Sequence, residues 1–161
     1  MTMAYSYCIR EAVEDFLRED DWRYQADDEK ELIRMGVNLK SKLKECKLIV
    51  DLREEFYLVY ATINIQADEE SRLRVAEYLS RANYGLRWGN FELDMRDGEV
   101  RYKILVDCGD DCDCMPTKSV IERSIYFPAS MMEKYGDGLL AVMYGFMTPE
   151  EACQQAEKPK N

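Results

Sequence analysis

Histidine is absent from this sequence. That gap removes the commonest general base, the serine–histidine and cysteine–histidine nucleophile pairings, and every metal motif that contains an imidazole. Long apolar runs are missing too, and without about 18 apolar residues in succession no segment reads as a membrane-spanning helix. Glycine and proline are sparse, eight and four in 161 residues, and no internal repeat or low-complexity tract occurs. Basic residues are outnumbered, with 22 Lys and Arg against 32 Asp and Glu for a net charge of −10. Nucleic acid and anionic membrane surfaces both select clustered Lys and Arg, so neither is an expected partner. The segment Met1 to Arg10 has no apolar run behind a positive cluster, so no secretory signal is expected. The six cysteines do not follow the regular spacing of a secreted disulfide scaffold. A reducing cytoplasm is the expected location.

What is present is a foldable chain. Hydrophobic residues make up 47% against 34% charged, which excludes a disordered polymer. At 18.9 kDa the chain has the size of one domain and can bury roughly 70% of its unfolded surface. One domain is expected over residues 1–157, with a frayed tail at 158–161.

The first element is an amphipathic helix, with Tyr5, Cys8, Ile9, Ala12, Val13, Phe16 and Leu17 on one face. From Glu31 the apolar period becomes two. Ile33, Met35, Val37 and Leu39 form one strand, Leu48, Val50 and Leu52 a second, and Tyr57, Val59, Ala61 and Ile63 a third. A tight turn at Glu54 and Glu55 pairs Leu52 with Tyr57 and Val50 with Val59. The opposite face of that hairpin then carries Ile49, Phe56, Leu58 and Tyr60, which is too apolar for plain solvent and marks a candidate partner-binding surface.

Asp68 is placed to cap a helix whose stripe is Leu73, Ala76, Leu79 and Ala82. Asp97 and Gly98 read as a two-residue type I′ turn, which sets Met95 opposite Val100, Leu93 opposite Tyr102 and Phe91 opposite Ile104. On the other face the same register pairs Arg96 with Glu99, Asp94 with Arg101 and Glu92 with Lys103. Thr117 opens a long helix with a seam of Ile121, Ile125, Pro128, Met132, Tyr135, Leu139, Val142 and Phe146. Met132, Tyr135, Leu139 and Val142 could serve as core or as a dimer interface, and methionines beside them suit an adaptable groove. Thr148, Pro149 and Glu151 form a capping box for a short last helix. The expected fold is therefore α+β, an antiparallel sheet of about five strands with helices on one face, in the order α-β-β-β-α-β-β-α-α.

Three stretches carry a further likeness: Asn83 to Asp94 (NYGLRWGNFELD) with Asp97 to Arg101 (DGEVR), Tyr135 to Gly145 (YGDGLLAVMYG), and Thr148 to Ala152 (TPEEA). Together with the order of elements from Ile9 to Ala152, they resemble the YbjN-like proteins, described as bacterial sensory transduction regulators. The resemblance implies a fold like that of type III secretion chaperones, small acidic dimers that hold extended segments of partner proteins. It brings no catalytic residues with it.

The candidate chemistry is limited. Cys108, Cys112 and Cys114 fall in an acidic loop as C-x₃-C-x-C, within reach of a single ion, and zinc would suit such a sulfur-rich set. The spacing is not that of a zinc knuckle, and neighbouring aspartates raise thiol pKa values and disfavour thiolate chemistry. Lys40, Lys42, Lys44 and Lys47 form the one basic cluster and read as a solvated connector. Trp22, Tyr24, Tyr84 and Trp88 read as lids over the core. The expected function is a non-enzymatic, homodimeric protein-binding module that captures a partner segment. The alternative is a metal- or redox-responsive regulator built on the cysteine loop.

Overall fold

A computed structural model describes residues 6–110 and 115–160. The chain runs α1 (Tyr7–Glu19), β1 (Gln25–Asp27), β2 (Leu32–Asn38), β3 (Glu45–Leu52), β4 (Phe56–Gln66), α2 (Arg72–Asn83), β5 (Asn90–Leu93), β6 (Glu99–Asp107), α3 (Lys118–Met143) and α4 (Pro149–Glu157). The strands form one six-stranded sheet in the order β1-β2-β3-β4-β6-β5, antiparallel at every junction. The α+β class and the order of the larger elements follow the expectation. The sheet has one strand more, because β1 is a short polar segment with no alternation to announce it. Its three residues are strand only because β2 offers them a ladder, with Gln25 opposite Arg34.

The inward residues of the strands meet the helices in one continuous core. Ile33, Leu48, Val50, Tyr57, Val59, Tyr102, Ile125, Met132 and Leu139 are all buried in it. Tyr57 carries its hydroxyl to the centre of this layer, where it meets Ser124 Oγ of α3 at 2.8 Å. The expected pairings of Leu52 with Tyr57 and Val50 with Val59 are present. The first helix begins at an N-cap, Ser6, whose hydroxyl accepts from Ile9 N, and its buried side is Ile9, Val13, Phe16 and Leu17. Thr117 and Thr148 cap α3 and α4 as expected, the latter through a complete capping box with Glu151. Helix α3 continues through Pro128. Its two glycines admit neighbours at very short range: a Cβ at Gly136 would lie 2.6 Å from Leu43 Cδ1, and one at Gly138 would collide with the Tyr78 hydroxyl.

Three local expectations are corrected. The β5–β6 register is displaced by two residues, so Leu93 faces Val100, Phe91 faces Tyr102, and Glu92 faces Arg101. Asp97 does not take up positive φ, whereas Gly98 does at 84°. The connection is therefore a wider loop, closed by Gly98 N donating to Asp94 O at 2.8 Å and Asp94 N to Glu99 O at 2.9 Å. Asp94 also accepts from Arg96 N at 2.8 Å, a local turn that competes with the two-residue hairpin. A two-residue shift keeps every side chain on its expected face, so the core survives while the charge pairs change. In α2 the buried stripe is Val75, Tyr78, Leu79 and Ala82, and Leu73 is 77% exposed. Asp68 caps a leading turn through Ser71 N at 2.8 Å, one turn before the regular helix begins. Phe146 is 81% exposed because α3 ends at Met143, before the seam reaches it.

Candidate functional site

The helices cover one face of the sheet and leave the other open. Along β4, Tyr57, Val59 and Ala61 are fully buried while Phe56, Leu58 and Tyr60 alternate with them and are half-buried. Cross-strand pairing sets Tyr60 beside Ile49 and Leu58 beside both Asp51 and Leu105. Leu32 lies across β3 from this row, paired with Asp51. The open face thus carries a contiguous apolar patch of Leu32, Ile49, Phe56, Leu58, Tyr60 and Leu105, the last of them 54% exposed. Leu32 and Leu105 add to the expected set. Their signal was the same period of two, since Leu105 continues the outward series Arg101 and Lys103.

Charged groups rim the patch and mostly neutralise one another. Arg101 lies 4.4 Å from the Tyr60 ring centroid and donates to Glu92 Oε2 at 2.7 Å, while Lys103 reaches the other oxygen of Glu92. Desolvation pushes the Glu92 carboxyl up, but these two cations outweigh it and hold the group below its ordinary pKa. At the other end of the patch Asp51 accepts from Arg53 at 2.9 Å.

A concavity of about 1040 Å³ opens beside the patch, where β1 stops pairing with β2. Arg23, Arg34 and Lys47 line it, with Gly36 between them. Arg34 pairs with Asp27 at 3.3 Å, whereas Arg23 and Lys47 have no ion-pair partner among the described residues. At the opposite edge of the sheet one residue of β5 is capped by a side chain. The Asn83 side chain accepts from Phe91 N at 2.7 Å and donates to Phe91 O at 3.0 Å, reproducing the hydrogen bonds of a missing strand. Asn83→Ala is expected to cost roughly 1–3 kcal/mol in urea denaturation, because the Phe91 N–H loses its partner at a partly buried edge.

The seam residues Met132, Tyr135, Leu139 and Val142 all lie inside the chain's own core. Tyr135 packs edge-on to Phe91 at 5.5 Å and donates its hydroxyl to Glu157 at 2.9 Å. Of the aromatic residues singled out in the sequence, Trp22 stacks near Tyr126 and Trp88 near Phe127, with Arg123 over the Trp88 ring. Tyr84 is exposed. The basic connector is tied to α3 through its backbone, Lys40 N donating to Glu133 and Lys42 N to Asp137.

Cys108 is buried and its thiol donates to Val106 O at 3.7 Å. Burial, aided by the charge of Asp107, pushes that thiol up to about 11. Cys112 and Cys114 lie outside the described residues, and no group of three metal-binding side chains converges among the described ones. Burial likewise pushes Cys46 up to about 11, with Glu133 and Glu45 adding to the effect. Both thiols are therefore expected to resist iodoacetamide at pH 7.5 over minutes and to react in urea, as read by mass spectrometry of peptides. Fast labelling of Cys108 in the native protein would contradict this burial.

The family model YbjN, described as "putative bacterial sensory transduction regulator", matches residues 10–141, from the first turn of α1 into the last turns of α3. No curated protein matches the chain.

Proposed function

Since the chain belongs to the YbjN family, we propose that it is a non-catalytic regulator that works by binding other polypeptides, and that two copies pair through the open faces of their sheets. The observation that carries this reading is the one-sided cover of the sheet. A row of Ile49, Phe56, Leu58 and Tyr60, extended by Leu32 and Leu105, lies on the face opposite the buried Leu48, Val50, Tyr57 and Val59, and among the described residues no helix covers it.

A second copy suits this surface for reasons of charge as well as apolar area. Asp51 and Asp107 stand at the hairpin end of the patch, and Arg101 and Lys103 stand further along β6. A twofold axis through the Leu58–Tyr60 region brings the acidic end of one copy over the basic end of the other, as an isologous interface requires. Two antiparallel sheets can pack in this way with their strands nearly aligned. The free thiols of Cys46, Cys108 and Cys153 fit a reducing cytoplasm as the place of action. Among the described residues no helix is long and apolar enough to cross a membrane. Two of the carboxylates around the patch, Asp51 and Glu92, are held in ion pairs with Arg53, Arg101 and Lys103 rather than set against one another as an acid–base couple.

Sedimentation velocity across nanomolar to micromolar protein tests the pairing. The expected result is a dimer that dissociates on dilution and weakens with added salt. A monomer at every concentration overturns it.

A further inference from the structure

The edge of the sheet at β2 is open over part of its length, and what stands on either side of it is chemically different. Strand β1 pairs only with Leu32, Ile33 and Arg34. It goes no further because the preceding chain turns away into α1, with Asp21 at φ 56° and Trp22 N donating to Leu17 O. Met35, Gly36, Val37 and Asn38 therefore pair with β3 on one side and with nothing among the described residues on the other. Alternate residues of such a strand aim both backbone groups at the missing neighbour. At the far edge of the same sheet Asn83 occupies both backbone groups of Phe91.

On the open face of the sheet this edge borders the 1040 Å³ concavity with Arg23, Arg34 and Lys47. Gly36 lies among them, and a Cβ built there would meet nothing within 4 Å. A glycine inside a strand marks a place where another chain can come close. On the helix-covered face the same edge borders a second concavity of about 560 Å³, whose apolar wall includes Val37, Leu39, Ala129 and Met131.

We infer that a partner polypeptide joins the sheet as an added strand along Met35–Asn38, and that the segment it contributes alternates acidic with apolar residues. The period of two along a strand sends successive side chains to opposite faces. A strand docked here therefore presents one set to Arg23, Arg34 and Lys47 and the other to Val37, Leu39, Ala129 and Met131. Carboxylates arriving beside Arg23 and Lys47 disrupt no existing ion pair. A lysine in the same place would meet the unpaired cations Arg23 and Lys47, an Arg34 already balanced by Asp27, and the single lining carboxylate of Glu99. Backbone pairing supplies adhesion and the two linings supply selectivity. The inference rests on the protein-binding reading above but not on the dimer, since it uses an edge of the sheet rather than its face.

The test uses capped, fluorescently labelled hexapeptides and anisotropy titration of the full chain. The probes are an alternating glutamate–valine peptide, the same peptide with lysine for glutamate, and two glutamate–valine forms N-methylated at one or the other set of alternate amides. The acidic peptide is expected to bind saturably and at least about tenfold tighter than the lysine form. One of the two N-methylated forms should lose binding, because only one set of amides faces β2. A Lys47→Glu, Arg23→Glu double variant, altered only at exposed side chains, should weaken the acidic peptide about tenfold while its circular dichroism stays unchanged. Leu73→Ser, far from this edge on α2, should bind as the parent does. Equal binding of the acidic and lysine peptides overturns the inference, as does full binding by both N-methylated forms. Sedimentation reports the dimer separately, so failure here leaves that reading standing, and a monomer that still binds the peptide leaves this one standing.

Discussion

Gly98→Ala should destabilise the fold by more than about 3 kcal/mol, and heating or urea should unfold the variant well before the parent. Two independent costs meet at this residue. Its φ of 84° lies in the left-handed region, where an L side chain loses roughly 1–2 kcal/mol. The second cost is contact. A Cβ at Gly98 would overlap the Ala67 carbonyl oxygen and stand 2.7 Å from its carbon and 2.9 Å from its nitrogen. All three are backbone atoms, so no rotamer change relieves the clash. Ala67 N also donates to Gly98 O at 2.9 Å, and moving the loop away to make room breaks that bond. Gly85→Ala separates the two costs. Gly85 has nearly the same φ, 86°, and nothing within 4 Å of its ideal Cβ, so it should lose only about 1–2 kcal/mol. Similar losses at both sites would mean that backbone conformation alone governs Gly98.

Leu58→Asp should abolish the proposed dimer, weakening association by more than about a hundredfold, an effect of at least roughly 3 kcal/mol. Leu58 stands near the centre of the open apolar patch, with Leu105 and Asp51 as its cross-strand neighbours. A carboxylate introduced there is desolvated on pairing and finds Asp51, a like charge, beside it. A twofold interface repeats the same penalty in the other copy. The isolated chain should fold, since the side chain at this position keeps access to water. Sedimentation reads the loss of the dimer, and urea denaturation checks that stability per chain has fallen by less than about 1 kcal/mol. A dimer of undiminished strength would remove the open face from the interface.

Periodicity was a reliable guide wherever one face of an element is buried. The alternation in β3 and β4 announced both the pairing of Leu52 with Tyr57 and the outward row of Ile49, Leu58 and Tyr60. The caps Thr117 and Thr148 were equally plain, because a hydroxyl bonding to an N–H three residues on is a short-range event. The β5–β6 hairpin shows where local reasoning stops. Asp97 and Gly98 are chemically suited to a two-residue turn, but Gly98 is held against Ala67 and Asp94 collects the Arg96 and Gly98 amides. Those contacts come from outside the dipeptide. In α2 the expected stripe began at Leu73 and Ala76, and the core took Val75 and Tyr78 instead.

The amino-acid order by itself determined the α+β class, the identity of the larger elements, the alternating faces of the central strands and the family. These follow from periodicity, capping and turn chemistry, which act over a few residues. It also placed apolar side chains on the outward face of the sheet. Only the tertiary structure decided that the α3 seam is core and that Asn83 caps Phe91 at one sheet edge. It alone set the cations Arg23, Arg34 and Lys47 around the free edge of β2. Each of those outcomes joins residues far apart in the chain, and which distant surfaces meet is settled by the packing of the whole rather than by any local run.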